Sequence, residues 1–336
     1  MMGCKNAIGD PINIGGLERF VGDWELEKGV SIPEIPKFTG INVAVVGSGP
    51  AGLSVAIDLA KMGHHVTIFE ALHEAGGVLT YGIPEFRLPK RIVNKEVDYV
   101  KKLGVEIKTN IIIGRTLTID DLFEEGYQSI FLGTGAGLPK LMGIPGENLC
   151  GVYSLNEFLF RINLMKAYEF PYRSGTPIKV KSKVAVLGPR GMDAARSALR
   201  LGAEEVYIFY QRSVVGRADE IRRGIEEGVK LRNLTKPLSL IGDEKGWVKQ
   251  VKLQRLKFGP IDKKGRPRIL KIEGSEFLHD AETVIIATEH TPNVLATRKS
   301  KRTIQVSEEG TILINLETLE TSCKGIFAGG DVASGA

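Results

Sequence analysis

An α/β fold built from two parallel βαβ units is predicted by three observations. An apolar run, Val43-Ala44-Val45-Val46, enters the turn Gly47-Ser48-Gly49-Pro50-Ala51-Gly52 and leaves it in a helical pattern. A second apolar run, Val66-Thr67-Ile68-Phe69, ends on an acid, Glu70. The arrangement then recurs: Val184-Ala185-Val186-Leu187-Gly188 reads as a buried strand, Met192 to Leu201 as a helix, and Glu205 to Tyr210 as the next strand. Strand, glycine turn, helix, strand and carboxylate in this spacing form a Rossmann-like dinucleotide-binding unit.

Each position of the first turn has a physical task. Gly47 makes the tight turn, Gly49 lets backbone approach a pyrophosphate, and Gly52 lets the helix pack close to its strand. Pro50 and Ala51 open the helix, whose unsatisfied N–H groups face the phosphates. Glu70 is placed to accept hydrogen bonds from a ribose diol. Between the two units lies Ser129-Ile130-Phe131-Leu132-Gly133-Thr134-Gly135-Ala136, a buried strand ending in glycine. Late in the chain, Gly325-Ile326-Phe327-Ala328-Gly329-Gly330-Asp331 is another short strand, ending in Gly-Asp. Val248 to Lys257 alternates apolar and polar residues before Gly259-Pro260, which predicts a small antiparallel element.

Composition narrows the function classes. The 336 residues suit two domains. No apolar run is long enough to span a bilayer and no signal-peptide pattern is present, so a cytoplasmic protein without a membrane partner is expected. The net charge of +5 is spread out, and its densest patch, Arg298-Lys299-Ser300-Lys301-Arg302, lacks interleaved aromatics, which argues against nucleic acid. Cys4, Cys150 and Cys323 lie far apart with no CxxC, so no dithiol redox centre is expected. The five histidines show no metal-ligand spacing, and no metal site is expected.

The order of these motifs resembles the two-dinucleotide-domain flavoprotein reductases. Gly76-Gly77-Val78-Leu79-Thr80-Tyr81-Gly82-Ile83-Pro84-Glu85-Phe86-Arg87-Leu88-Pro89-Lys90 is similar to one subgroup. That subgroup holds the glutamate synthase small subunit, the large subunit of NADH-dependent ferredoxin:NADP oxidoreductase, and the flavin domains of dihydropyrimidine dehydrogenase. Met192-Asp193-Ala194-Ala195-Arg196, Leu201-Gly202-Ala203-Glu204-Glu205-Val206 and Gly265-Arg266-Pro267 agree. The resemblance implies that the first unit binds FAD and the second NADPH. It implies that Gly47 to Gly52 hold the FAD pyrophosphate and Glu70 the adenosine ribose. Gly77, Val78 and Leu79 would pass the flavin end, Arg87 would lie near the pyrophosphate or ribityl chain, and Ile113 or Leu117 would border the adenine. Thr134 and Gly135 would close the floor, and Gly330-Asp331 would receive a ribityl hydroxyl. No general acid, base or nucleophile is assigned, because hydride moves between stacked cofactor rings.

Departures from that family are also legible. Around Cys4, the segment through Phe20 resembles the tail of an N-terminal iron–sulfur domain, but one cysteine does not ligate a cluster. The second turn reads Gly188-Pro189-Arg190-Gly191-Met192-Asp193, two residues shorter than in the family, and Pro189 has no N–H for a phosphate. Gln211 replaces one arginine of the pair that recognises a 2′-phosphate, while Arg212 and Arg217 remain. Glu289 stands where the family has glycine. Gly188, Arg190, Gly191, Gln211, Arg212 and Arg217 are the expected NADPH contacts.

The expected organisation is an N-terminal segment over 1–37, an FAD-binding domain over 38–176 and 293–336, and an inserted NAD(P)-type domain over 177–292. Two functions fit: an FAD-dependent NAD(P)H oxidoreductase feeding a partner redox subunit or iron–sulfur protein, or an FAD-containing electron-transfer or scaffold subunit with a degenerate second site.

Overall fold

A computed structural model describes residues 12–212, 218–261, 266–298 and 300–335. Cys4 and Arg217 lie outside the described residues. The first element among the described residues is α1 (Ile14–Lys28), capped by Asn13, whose Oδ1 accepts from the Gly16 N–H at 3.0 Å; none of its residues is buried. Then follow β1 (Asn42–Val46), α2 (Pro50–Lys61), β2 (His65–Phe69), α3 (Val78–Tyr81), α4 (Lys90–Lys102), β3 (Glu106–Lys108), α5 (Ile119–Glu124), β4 (Ser129–Leu132) and β5 (Leu138–Pro139). The chain continues through β6 (Val152–Ser154), α6 (Leu155–Asn163), β7 (Lys183–Leu187), α7 (Met192–Arg200), β8 (Glu205–Phe209), α8 (Ala218–Glu226) and β9 (Lys230–Arg232). It closes with β10 (Thr235–Gly242), β11 (Val248–Ile261), β12 (Pro267–Asp280), β13 (Thr283–Ile286), β14 (His290–Thr291), α9 (Leu295–Arg298), β15 (Ile326–Ala328) and α10 (Asp331–Ser334).

Two five-stranded parallel sheets carry the fold, ordered β15-β4-β1-β2-β3 and β6-β13-β7-β8-β9. The same topology appears twice, each time with the glycine-turn strand in the centre. Val43–Val46, Val184–Leu187 and Thr283–Ile286 are buried throughout, as central parallel strands covered on both faces must be. Ala194, Ala195 and Ala198, all with no exposed surface, let α7 lie close on the second sheet.

Two differences from the sequence reading have physical causes. First, β6 pairs with β13 in the second sheet, and Leu155, Phe158, Leu159 and Ile162 of α6 enter that sheet's core. The expected boundary at 176–177, beside the Pro- and Gly-containing stretch Pro171 to Pro177, puts Val152 to Asn163 with the first sheet. The chain crosses instead at a two-residue antiparallel pair, Leu138↔Thr291 and Pro139↔His290. Second, β10, β11 and β12 form an antiparallel sheet larger than expected. Gly259-Pro260 is not its turn: it falls inside β11 at a register shift between Phe258 and Ile261. Among the described residues no helix is long and apolar enough to cross a membrane.

Candidate functional site

The first sheet changes direction at β1. The chain runs to β2 and β3 on one side, then returns to β4 on the other, so a crevice opens beyond the strands' carboxyl ends. A cavity of about 820 Å³ occupies it. Gly47 turns at φ 99°, and a Cβ there would lie 2.6 Å from the Gly133 carbonyl oxygen. A Cβ on Gly52 would run into the Gly47 carbonyl oxygen, so this glycine sets the helix-to-strand distance. Gly49 meets open space where a Cβ would stand, and its bare backbone lines the cavity. It caps α2 without a side-chain bond, and Pro50 occupies the first helical position. The N–H groups of Ala51 and Gly52 therefore have no partner within the helix.

Glu70 is 6% exposed and firmly held. Its Oε2 accepts from the Ser48 N–H at 2.9 Å and from the Ser48 hydroxyl at 2.5 Å, and its Oε1 accepts from the Leu72 N–H at 2.9 Å. Ser48 Oγ in turn accepts from the Gly76 N–H at 3.0 Å. Three of about four acceptor positions on the carboxylate are thus filled, and the remainder faces the cavity that Glu70 lines. Gly77, at φ 53°, lies back to back with Gly49, and a Cβ on it would stand 2.7 Å from the Gly49 Cα. Gly135, at φ 66°, also meets open space. Asp331 begins α10 and lines the cavity, and a Cβ on the preceding Gly330 would stand 3.0 Å from the Ala51 Cβ.

Of the residues expected around FAD, Gly47, Gly49, Pro50, Ala51, Glu70, Gly77, Val78, Ile113, Thr134, Gly135, Gly330 and Asp331 line this cavity. Four expected contacts are not among its lining. Gly52 acts by packing. Leu117 bridges to Ile113 and packs against the core beneath. Leu79 turns its carbonyl to Lys90 Nζ at 2.8 Å. Arg87 reaches the second sheet's helices, donating to Asp193 Oδ2 at 2.5 Å and standing 3.2 Å from Glu220 Oε1.

Sequence reasoning missed Ser48, Tyr81 and the contribution of α6. Ser48 occupies a variable position of the turn, and nothing in the pattern marks it. Tyr81 lines the cavity, its ring 5.7 Å from that of Phe160 on α6. Burial raises the Tyr81 hydroxyl above its ordinary pKa, with the charges of Glu70 and Asp331 adding to it, so it remains a proton donor at neutral pH. Asn156 of α6 donates to the Gly137 carbonyl at 2.7 Å, and Asn156 and Phe160 both line the cavity. The crevice of the first sheet is therefore walled on one side by the second.

The second turn follows β7. A Cβ on Gly188, at φ 130°, would collide with the Ala287 carbonyl oxygen, and one on Gly191 with the Val186 side chain. Gly191 caps α7 without a side-chain bond. Arg190 is exposed and close enough to His290 to lower the histidine's pKa, although burial is the larger cause. Gln211 is half-buried and Arg212 exposed just past β8. Asp193, in the first turn of α7, has only 12% of its side chain exposed, and its Oδ1 has no hydrogen-bond partner. Burial raises its pKa despite the opposing pull of Arg87.

The two turns and the cavity define a two-domain dinucleotide-binding oxidoreductase fold. A family model for pyridine nucleotide-disulphide oxidoreductases matches residues 41–336, and the chain belongs to that family. It is 37% identical over 361 residues to the NADP(+)-dependent formate dehydrogenase subunit beta of Moorella thermoacetica, covering 99% of this chain and 49% of that protein. It is 32% identical over 336 residues to the glutamate synthase [NADPH] small chain of Escherichia coli, covering 96% of this chain and 70% of that one. The chain thus spans about half the length of the first relative. In fold it is similar to Mycobacterium tuberculosis FprA, solved in complex with NADPH, with a TM-score of 0.70 at 18% identity over 88% of this chain and 79% of that one.

Proposed function

We propose that the chain is an FAD-dependent NADPH oxidoreductase similar to the glutamate synthase small subunit, acting in the cytoplasm and delivering electrons to a partner redox subunit or iron–sulfur protein. One observation carries this reading: one cavity is lined by the Gly47–Ala51 turn, Glu70 and Asp331 together, with α6 of the second sheet as part of its wall. Its donors fit FAD. The open backbone at Gly49 and the N–H groups of Ala51 and Gly52 suit a pyrophosphate, Glu70 a ribose diol, and Asp331 a ribityl hydroxyl. FAD, when bound, supplies the redox chemistry, taking a hydride from NADPH and passing the electrons on.

The protein's own residues position and exclude. Val78, Tyr81 and Phe160 line the cavity, where their apolar surface would help shield a bound flavin from water. At the second turn, Gly188, Arg190 and Gly191 would meet the NADPH pyrophosphate, and Gln211, Arg212 and Arg217 its adenosine end. The relatives named as subunits support a partner, and both names cited above include NADP or NADPH.

The alternative, an electron-transfer or scaffold subunit that keeps FAD, is favoured by Pro189 in the second turn, by Gln211 just past β8 and by the exposed Glu289. Anaerobic binding and reduction assays with NADPH and NADH separate the two. The oxidoreductase reading expects Arg212→Ala to abolish a preference for NADPH. It expects Glu289→Gly to tighten NADPH binding by about tenfold through removal of a like charge. If neither nucleotide reduces the flavin in wild type or in Glu289→Gly, the electron-transfer reading replaces it.

A further inference from the structure

We propose that the segment Gly77–Lys90 is a clasp that carries the geometry of the flavin cavity to the dinucleotide helix α7, and that Arg87 is its positioning residue. At one end the segment is part of the cavity: Gly77 lies against Gly49, and Val78 and Tyr81 line the wall. In the middle, Lys90 folds back into its own loop. Its Nζ donates to the carbonyls of Leu79 at 2.8 Å, Ile83 at 2.5 Å and Leu88 at 3.2 Å, and its N–H donates to Glu85 Oε2 at 3.0 Å. Burial lowers the Lys90 pKa, as expected of an ammonium enclosed by carbonyls. An ammonium satisfied by three carbonyls of one loop fixes that loop's shape.

At the far end the segment grips the second sheet's helices twice. Arg87 pairs with the part-buried Asp193 in the first turn of α7 and with Glu220 of α8. The ring of Phe86 receives two guanidinium groups of α7, with Cζ of Arg196 4.4 Å and Cζ of Arg200 4.0 Å from its centroid. Both arginines are themselves pinned by Glu227 at 2.5–3.0 Å, so the surface Phe86 rests on is fixed. The other links across the two sheets are the two-residue strand pair of β5 and β14 and the α6 contacts, in which Asn163 donates to the Tyr81 carbonyl at 3.0 Å and Phe160 meets the Tyr81 ring. Helix α7 lies on its own sheet, and the clasp is the side-chain link that ties its first turn, next to the Gly188–Gly191 turn, to the flavin cavity. Hydride transfer needs ring contact at a defined distance, so loss of the clasp should lower its rate rather than the occupancy of either site.

This inference rests on the oxidoreductase reading for its kinetic consequence but not for its structural one, and two measurements keep them apart. In FAD-loaded protein mixed anaerobically with NADPH, Arg87→Ala should lower the limiting rate of flavin reduction by about tenfold or more, with FAD content unchanged and half-saturation moved by less than about threefold. Arg87→Lys, which keeps the charge, should recover most of that rate. A limiting rate for Arg87→Ala equal to wild type overturns the proposal. If wild type itself is not reduced, the functional reading has failed, and amide hydrogen exchange decides the clasp. Arg87→Ala should then speed exchange in both 84–89 and α7 while leaving β1 and α2 unchanged, and unchanged exchange in α7 overturns it.

Discussion

Glu70 shows how one residue serves fold and site together. Its carboxylate ties the Ser48 backbone and hydroxyl to the loop at Leu72, and only its remaining acceptor capacity is left for a ligand. Glu70→Ala should weaken FAD binding by about 1–3 kcal/mol, roughly fivefold to 150-fold, because the carboxylate acceptor for the ribose diol is lost. Fluorescence titration of apoprotein with FAD measures this, and an unchanged dissociation constant would remove Glu70 from the site. Gly52→Ala tests packing alone: its Cβ would overlap the Gly47 carbonyl, and a cost of about 1–3 kcal/mol should appear in chemical denaturation even without ligand. At this scale the glycine turn, Glu70 and Asp331 were legible in the sequence, because turn geometry restricts which residues are allowed. Arg87 and Asp193 were visible as motif members but not as partners. They lie 106 positions apart, and no periodicity links a loop of one sheet to a helix of the other.

Helix α7 and its neighbour α8 illustrate stabilisation at the level of elements. Arg196 Nε and Nη2 donate to Glu227 at 3.0 and 2.6 Å, and Arg200 adds two further bonds at 2.5 and 3.0 Å. Hydrogen bonds from Arg200 and then Arg196 hold the Glu227 carboxyl down to about 2. A depressed carboxyl contributes stability that is present above its ordinary pKa of 4.5 and is lost as pH falls through that of the folded state. Glu227→Gln should therefore cost about 1–2 kcal/mol at neutral pH, after discounting for solvent screening of a partly exposed group. It should also flatten the fall in stability between pH 4.5 and about 2. Thermal melts across that range check both, and parallel curves for wild type and variant would contradict the assignment. Strand and helix identities were mostly readable from apolar runs and glycine turns. The hairpin of β11 and β12 was underestimated, because a Gly-Pro pair usually signals a turn and here sits in a register shift.

For the whole molecule, the repeated sheet order places two nucleotide turns on one chain, and the crossing at Leu138–Pro139 and His290–Thr291 brings α6 to the wall of the first cavity. The presence of two βαβ units was plain from their glycine turns. Their boundary was not, because a two-residue antiparallel pair carries no compositional mark, whereas the Pro- and Gly-rich segment near 170–177 does. Under the proposed function, a flavin held beside Glu70 and Asp331 is reduced by a nucleotide held at the second turn. The most direct test is anaerobic titration of the FAD-loaded chain with NADPH, followed by the flavin absorbance band. The band should bleach with about one equivalent of NADPH per flavin, as a two-electron hydride transfer requires. A band that stays oxidised through a large excess of NADPH, yet bleaches with dithionite, would contradict it.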